Sequence, residues 1–421
     1  MPSSSAVVYT VLATSMIILF FTIYGQFHYF RDPGSIFFKP ERALERSYSL
    51  YREQEAKTFR TAALSPEKPF NRSFTIDGKN ATICGVFVTV RRDDTELHPL
   101  EISISSALAG LDHRERDDLD LRVYIADTKA ELHQAWLSPL LDSVDNVTCA
   151  GNITSASQLQ ELQNLEREHK GGTKVALDFS YALRYAYETS SSPYIALFED
   201  DIIFANGWLA RALIALRDID ERTNKMRNTW LDLRLFNEIR SIGWASKELL
   251  GNNVPFIILG FSVGIICILW IPRYFSAWGK RLFTNGVMAT ICCVAIPLFV
   301  ILFFQAGKQS ILPTMPGVKL QPWGCCTQGI IIPRENVLQL SEELARKAAT
   351  PPDMIIGDYA TKKGLSRFAL DPVQVQHLGI KSRLSPDRKA LFTPWSVAFE
   401  DLKVDRLSKD HERMLIKLYG Q

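Results

Sequence analysis

Apolar positions along the chain fall into two patterns. Three runs, at residues 6–24, 254–271 and 283–304, stay apolar for close to the length of helix that crosses a hydrocarbon core, about 20 residues. Elsewhere short apolar runs alternate with amphipathic stretches. Residues 83–91 (ICGVFVTVR), 121–127 (LRVYIAD), 194–204 (YIALFEDDIIF) and 230–236 read as strands, and 327–336 (TQGIIIPREN) as a strand running into a helix. Residues 174–188 put Val175, Phe179, Leu183 and Ala186 on one helical face, and Asn206 could cap a helix that turns Leu209, Leu213 and Leu216 inward. Such alternation predicts an α/β fold with largely parallel strands. Residues 41–60, without Gly or Pro, predict a helical stalk with a solvated charged face, and 138–172 looks like a surface insertion.

The apolar runs organise the domains. Residues 1–5 carry no basic residue and no small-x-small site follows Phe20, which predicts an uncleaved transmembrane anchor over 6–24. The other two runs form a transmembrane hairpin, 254–304. Only the loop 272–282 separates them, and its Arg273, Lys280 and Arg281 place it, with the N-terminus, in the cytosol. Two crossings return the chain to the compartment it left. A stalk at 25–80, a first catalytic part at 81–250 and a second at 305–421 therefore share one side and can complete one domain. The glycosylation sequons at Asn71, Asn80, Asn146 and Asn152 all fall in that compartment. So do Cys84, Cys149, Cys325 and Cys326, which allow three disulfide pairings, whereas Cys267, Cys292 and Cys293 sit in the spans as packing residues. A net charge of +2 over 421 residues gives no reason to expect nucleic acid. Three spans without paired intramembrane charges make a poor transport pathway.

The candidate chemistry centres on Glu199, Asp200 and Asp201, at the end of an apolar strand. In α/β sheets the carboxyl ends of strands open into the ligand crevice. Extended backbone would send Glu199 and Asp201 to one side and Asp200 to the other. Such a pair suits Mn²⁺ or Mg²⁺, which leaves positions for water and nucleotide phosphates; a solvated acidic turn would look the same. Residues 371–382 (DPVQVQHLGIKS) place His377 in an apolar strand, as a core residue or as a further ligand to that ion. Lys381 and Arg383 follow, to neutralise phosphate oxygens or as a basic loop. Asp353 opens a helix after Pro351-Pro352, as its cap or as a general base, a role for which Asp358 competes.

An apolar strand with EDD, a strand-helix unit, a Pro-x-Asp helix and PxxxQHxG, in that order over residues 83–383, resemble GT-A glycosyltransferases of the N-acetylglucosaminyltransferase IV type. With a tandem hairpin splitting the domain, the chain looks most like the Golgi GPI-glycan N-acetylgalactosamine transferases among them. The resemblance implies a GT-A-like nucleotide-sugar-binding domain and inverting transfer of N-acetylgalactosamine from UDP-N-acetylgalactosamine to a mannose of the GPI anchor glycan. It implies Glu199 and Asp201 at the ribose and the metal, His377 as a further metal ligand, Asp353 as base, and Thr89, Arg91, Asp127, Lys174 and Asp178 on the nucleotide side, where Asp200 and Lys381 are further candidates from the residues themselves. EDD in place of DxD leaves open which acid touches the ion. The implied setting is a multi-pass Golgi membrane protein with a lumenal catalytic domain, among membrane lipids, acting on GPI-anchored proteins or the GPI glycolipid. Competing expectations are an enzyme acting on N-glycans and a non-catalytic membrane lectin that retains the fold.

Overall fold

The computed structural model describes residues 2–64, 80–92, 98–226, 229–237, 244, 249–312, 315–321, 324, 326–378 and 395–420. The chain divides into two compact units, Met1–Glu45 with Ile239–Thr314, and Arg46–Glu238 with Met315–Gln421.

The first unit contains three helices long and apolar enough to cross a membrane, Ser5–His28, Val254–Phe275 and Asn285–Gln305. Large apolar side chains such as Phe20, Phe256 and Trp270 are exposed on them, as lipid-facing side chains are. Ser262 Oγ donates to the Cys292 carbonyl at 3.2 Å, between the second and third helices. Asp32 ties the ends together, accepting from Gly34 N at 2.8 Å and from Ser310 N at 2.9 Å.

The second unit is built on a mixed sheet. Strands β1 (Ile83–Thr89), β2 (Leu119–Ile125) and β4 (Tyr194–Glu199) are largely apolar because the sheet is covered on both faces. β1 pairs in parallel with β2 and β4, and β3 (Asn146–Cys149) continues the parallel set beyond β2. Gly85 is required in β1, since a Cβ there would lie 2.6 Å from the Phe198 ring of β4. On the other side, β8 (Gly329–Pro333) runs antiparallel to β4 and to β6 (Trp230–Arg234). β9 (Ser366–Asp371) is parallel to β6, and β7 (Gly317–Leu320) is antiparallel to β9. The order is β3-β2-β1-β4-β8-β6-β9-β7. β8, which follows the apolar hairpin in sequence, thus sits between two strands that precede it. A separate ribbon pairs β5 (Ile202–Phe204) with β10 (Val375–His377) in antiparallel register.

Several expectations change. The sheet is mixed, because a strand buried on both faces reads as the same continuous apolar run whichever way it points. Residues 138–172 are not a surface insertion: they supply β3, and Leu140, Leu141 and Leu162 are buried. Cys84 and Cys149 are free and buried, whereas Cys326 is disulfide-bonded. Asn71, Cys325, Lys381 and Arg383 lie outside the described residues, and Asn80, Asn146 and Asn152 are exposed.

The stalk also differs. Helix α1 (Tyr48–Ala63) belongs to the sheet-bearing unit, and its Arg52 is buried, not solvated. The Arg52 guanidinium donates to the carbonyls of Phe204 (2.8 Å), Ser106 (2.9 Å) and Ala109 (3.3 Å). Glu400 fixes the start of the same helix, accepting from Ser47 N at 2.7 Å and Ser49 N at 3.1 Å. Removing Arg52 strips donors from three carbonyls at once, each worth about 1–3 kcal/mol when left buried and unpaired. Arg52→Ala is expected to lower the melting temperature by several degrees, measured by thermal unfolding of the full chain in detergent; an unchanged melting temperature would show that α1 is not anchored this way.

Candidate functional site

β4 brings its carboxyl end to the mouth of the sheet, and the chain turns at Asp200-Asp201 before β5. Ser103, on helix α2 (Pro99–Leu108), pins this turn: its Oγ accepts from Ile202 N at 3.1 Å and donates to the Asp200 carbonyl at 2.7 Å. The three acids take different partners. Glu199 accepts from the Thr327 hydroxyl at 2.5 Å. Asp200 is buried over the end of β1, where Thr89 Oγ1 donates to its Oδ2 at 2.7 Å. Asp201 faces the ribbon, with His377 Nε2 3.1 Å from its Oδ2. Backbone pairing sets that last contact, since His377 stands opposite Ile202 and Leu378 N donates to the Asp201 carbonyl at 2.8 Å. Arg92 Nη2 then bridges the two aspartates, reaching Asp200 Oδ1 and, at 2.9 Å, Asp201 Oδ2.

Behind Asp200 stand two buried histidines. His133 Nδ1 accepts from Ala135 N at 3.1 Å, which leaves the proton on Nε2, 3.0 Å from Thr89 Oγ1. His98 accepts from Leu100 N as it caps α2, and its Nε2 lies 3.0 Å from the Val90 carbonyl. Burial and then the neighbouring His98 push His133 down to about 3, so it stays neutral.

A second polar group occupies the adjoining strand ends. Asp127 accepts from Arg91 N at 2.7 Å. Lys174, buried near the start of helix α3 (Gly171–Thr189), donates to the Ala126 carbonyl at 2.7 Å and to Asp178 at 2.8 Å. Burial raises Asp178 to about 6 against the pull of Lys174. The two groups adjoin, since Ala126 N donates to the Thr89 carbonyl at 2.9 Å.

Asp353 is half-buried at the start of helix α4 (Pro352–Lys363), and its Oδ2 accepts from Cys326 N at 3.4 Å. Thr327, the next residue, binds Glu199, and consecutive Cα atoms are only about 3.8 Å apart. Asp353 and Glu199 are therefore tied to consecutive residues of one segment, Cys326 and Thr327. Asp358 is exposed, and five residues along a helix turn it by roughly 140° from Asp353.

Charge in the cluster is unevenly distributed. Burial, then Asp201, raises Glu199 to about 7. Burial raises Asp200 although Arg92 opposes it. Burial would raise Asp201 too, but His377 and Arg92 hold its carboxyl well below the usual range. Among the described residues no group of three His, Cys, Asp or Glu is arranged to hold a metal ion. Two protein donors suffice where a diphosphate and water complete an octahedral shell. Asp201 fits that pattern, because its Oδ1 is buried with no hydrogen-bond partner among the described residues while His377 flanks its other oxygen. Arg92, Thr327, His98 and His133 have no motif in the sequence that marks them as neighbours of these acids. No model of a known protein family matches the chain, and no curated protein does.

The raised Glu199 favours the protonated native state, so its contribution to stability is present below pH 4.5 and lost as pH rises towards about 7. Without divalent ions, Glu199→Gln should remove a loss on the order of 2 kcal/mol over that interval. Denaturant unfolding at pH 5 and pH 8 checks this; equal pH dependence in both proteins would contradict it.

Proposed function

We propose that the sheet-bearing unit is the catalytic domain of a GT-A-type, divalent-cation-dependent glycosyltransferase, acting with inversion. The reading takes UDP-N-acetylgalactosamine as donor and a mannose of the GPI anchor glycan, in the Golgi lumen, as acceptor. The observation that carries it is the pairing of Asp201 with His377 beside the carboxyl end of a parallel strand, where α/β sheets take ligands.

In this reading Asp201 and His377 hold Mn²⁺ or Mg²⁺, with Glu199 beside them. The bound ion supplies positive charge to the leaving diphosphate. Asp127, Lys174 and Asp178, with the Arg91 backbone, shape the nucleotide side of the mouth. Asp353 takes the proton from the attacking acceptor hydroxyl, a direct displacement with no covalent enzyme intermediate. Its half-buried carboxylate, held by the Cys326 and Met354 amides, keeps lone pairs for that proton. A lipid-linked acceptor agrees with the three apolar helices, because confining enzyme and acceptor to one membrane raises their effective concentration.

The purified full chain, given UDP-sugars, Mn²⁺ and lipid-anchored GPI or soluble glycopeptide acceptors, is expected to release UDP with the GPI acceptor. Asp201→Ala and His377→Ala should abolish transfer. Asp353→Asn should lose at least about a hundredfold while keeping Mn²⁺-dependent UDP binding. Full activity in both the Asp201 and His377 variants would dismiss the site, and transfer to glycopeptide alone would dismiss the acceptor.

A further inference from the structure

Arg92 occupies a position that the proposed reaction leaves unexplained. It follows β1, and its backbone is clamped by Gln134, whose Oε1 accepts from Arg92 N at 3.3 Å and whose side-chain amide donates to the Arg92 carbonyl. From there Nη2 reaches across to both Asp200 and Asp201.

The two aspartates depend on it unequally. Asp200 also accepts from the Thr89 hydroxyl, which the neutral His133 backs from behind, so it stays placed if the guanidinium moves. Asp201 Oδ2 is shared between Arg92 and His377, while Oδ1 has no partner among the described residues. A divalent ion held by Asp201 and His377 would need the oxygen that Arg92 touches. Two cations at that oxygen repel strongly in a buried site.

We infer that Arg92 is a placeholder cation: it neutralises Asp200 and Asp201 while no divalent ion is bound, and it must release Asp201 for the ion to enter. This rests on the cation reading of the site. While no ion is bound, Arg92 acts only through the two acids. Its occupancy of Asp201 lowers the apparent affinity for the ion by the fraction of molecules in which that carboxylate is free. Once displaced, the guanidinium stays beside Asp200, where its remaining N–H groups can meet a diphosphate oxygen. Ion and nucleotide then favour one another's binding.

The test is calorimetric titration of Mn²⁺ into the full chain in detergent, with and without UDP, comparing wild type, Arg92→Gln, Arg92→Lys and Asp201→Ala. Without UDP, Arg92→Gln is expected to bind Mn²⁺ about tenfold more tightly than wild type, as when roughly one molecule in ten is ion-competent. Its melting temperature should fall without the ion and recover with it. Arg92→Lys, which keeps the charge, should stay close to wild type. Adding UDP should tighten Mn²⁺ binding more in wild type than in Arg92→Gln. Equal or weaker Mn²⁺ binding by Arg92→Gln, or an Arg92→Lys protein that gains as much as the Gln variant, overturns the proposal while leaving the cation site intact. Absence of Asp201-dependent Mn²⁺ binding in wild type instead overturns the cation reading, and the proposal with it.

Discussion

The antiparallel pairing of β5 with β10 is the constraint on which the rest of the site depends. Three residues on each side, in a fixed register, carry His377 to the Asp201 carboxylate. One strand comes from before the apolar hairpin and the other from after it. The sheet repeats the arrangement on a larger scale, since β8 lies between β4 and β6. Slipping the ribbon by one residue would turn every side chain in it to the opposite face, removing His377 from the acids. Its backbone bonds therefore set the geometry of the cluster as much as the side chains do.

Around that ribbon the site concentrates negative charge where water is scarce. Glu199, Asp200 and Asp201 are consecutive, and each finds a different partner: the Thr327 hydroxyl, the Thr89 hydroxyl with Arg92, and His377 with Arg92. Burying carboxylates without compensation is costly, which is why Glu199 is raised and why Asp201, best compensated, stays low. A buried acidic cluster built this way is unfavourable without compensating charge. The Thr327 hydroxyl, the Thr89 hydroxyl backed by the neutral His133, and the Arg92 guanidinium hold the acids in place.

Much of this was legible in the residues themselves. Four central strands, β1, β2, β4 and β8, stood out as apolar runs, and the acids at the end of one of them marked the mouth. His377 was legible as a residue out of place in an apolar strand. Other features left no local trace. β3 is four residues long with an exposed start, so it reads as loop. The direction of β8 is set by its neighbours and not by its composition. Arg52 belongs to a charged helix whose pattern suggests solvent, yet three carbonyls from distant segments claim it. Arg92 and Thr327 meet the acids, and His133 meets the Thr89 hydroxyl that supports Asp200, only through the tertiary fold, because their separations from Asp200 run from 67 to 127 positions and obey no periodicity.

The central claim is that an acid from the first part of the chain and an imidazole from the second bind one ion. Pulsed electron paramagnetic resonance of Mn²⁺ bound to the full chain with UDP tests it directly. A nitrogen coupling from a ligated imidazole, present in wild type and absent in His377→Ala, is the result this account predicts. A spectrum with no nitrogen coupling, or one unchanged by removal of His377, would contradict it.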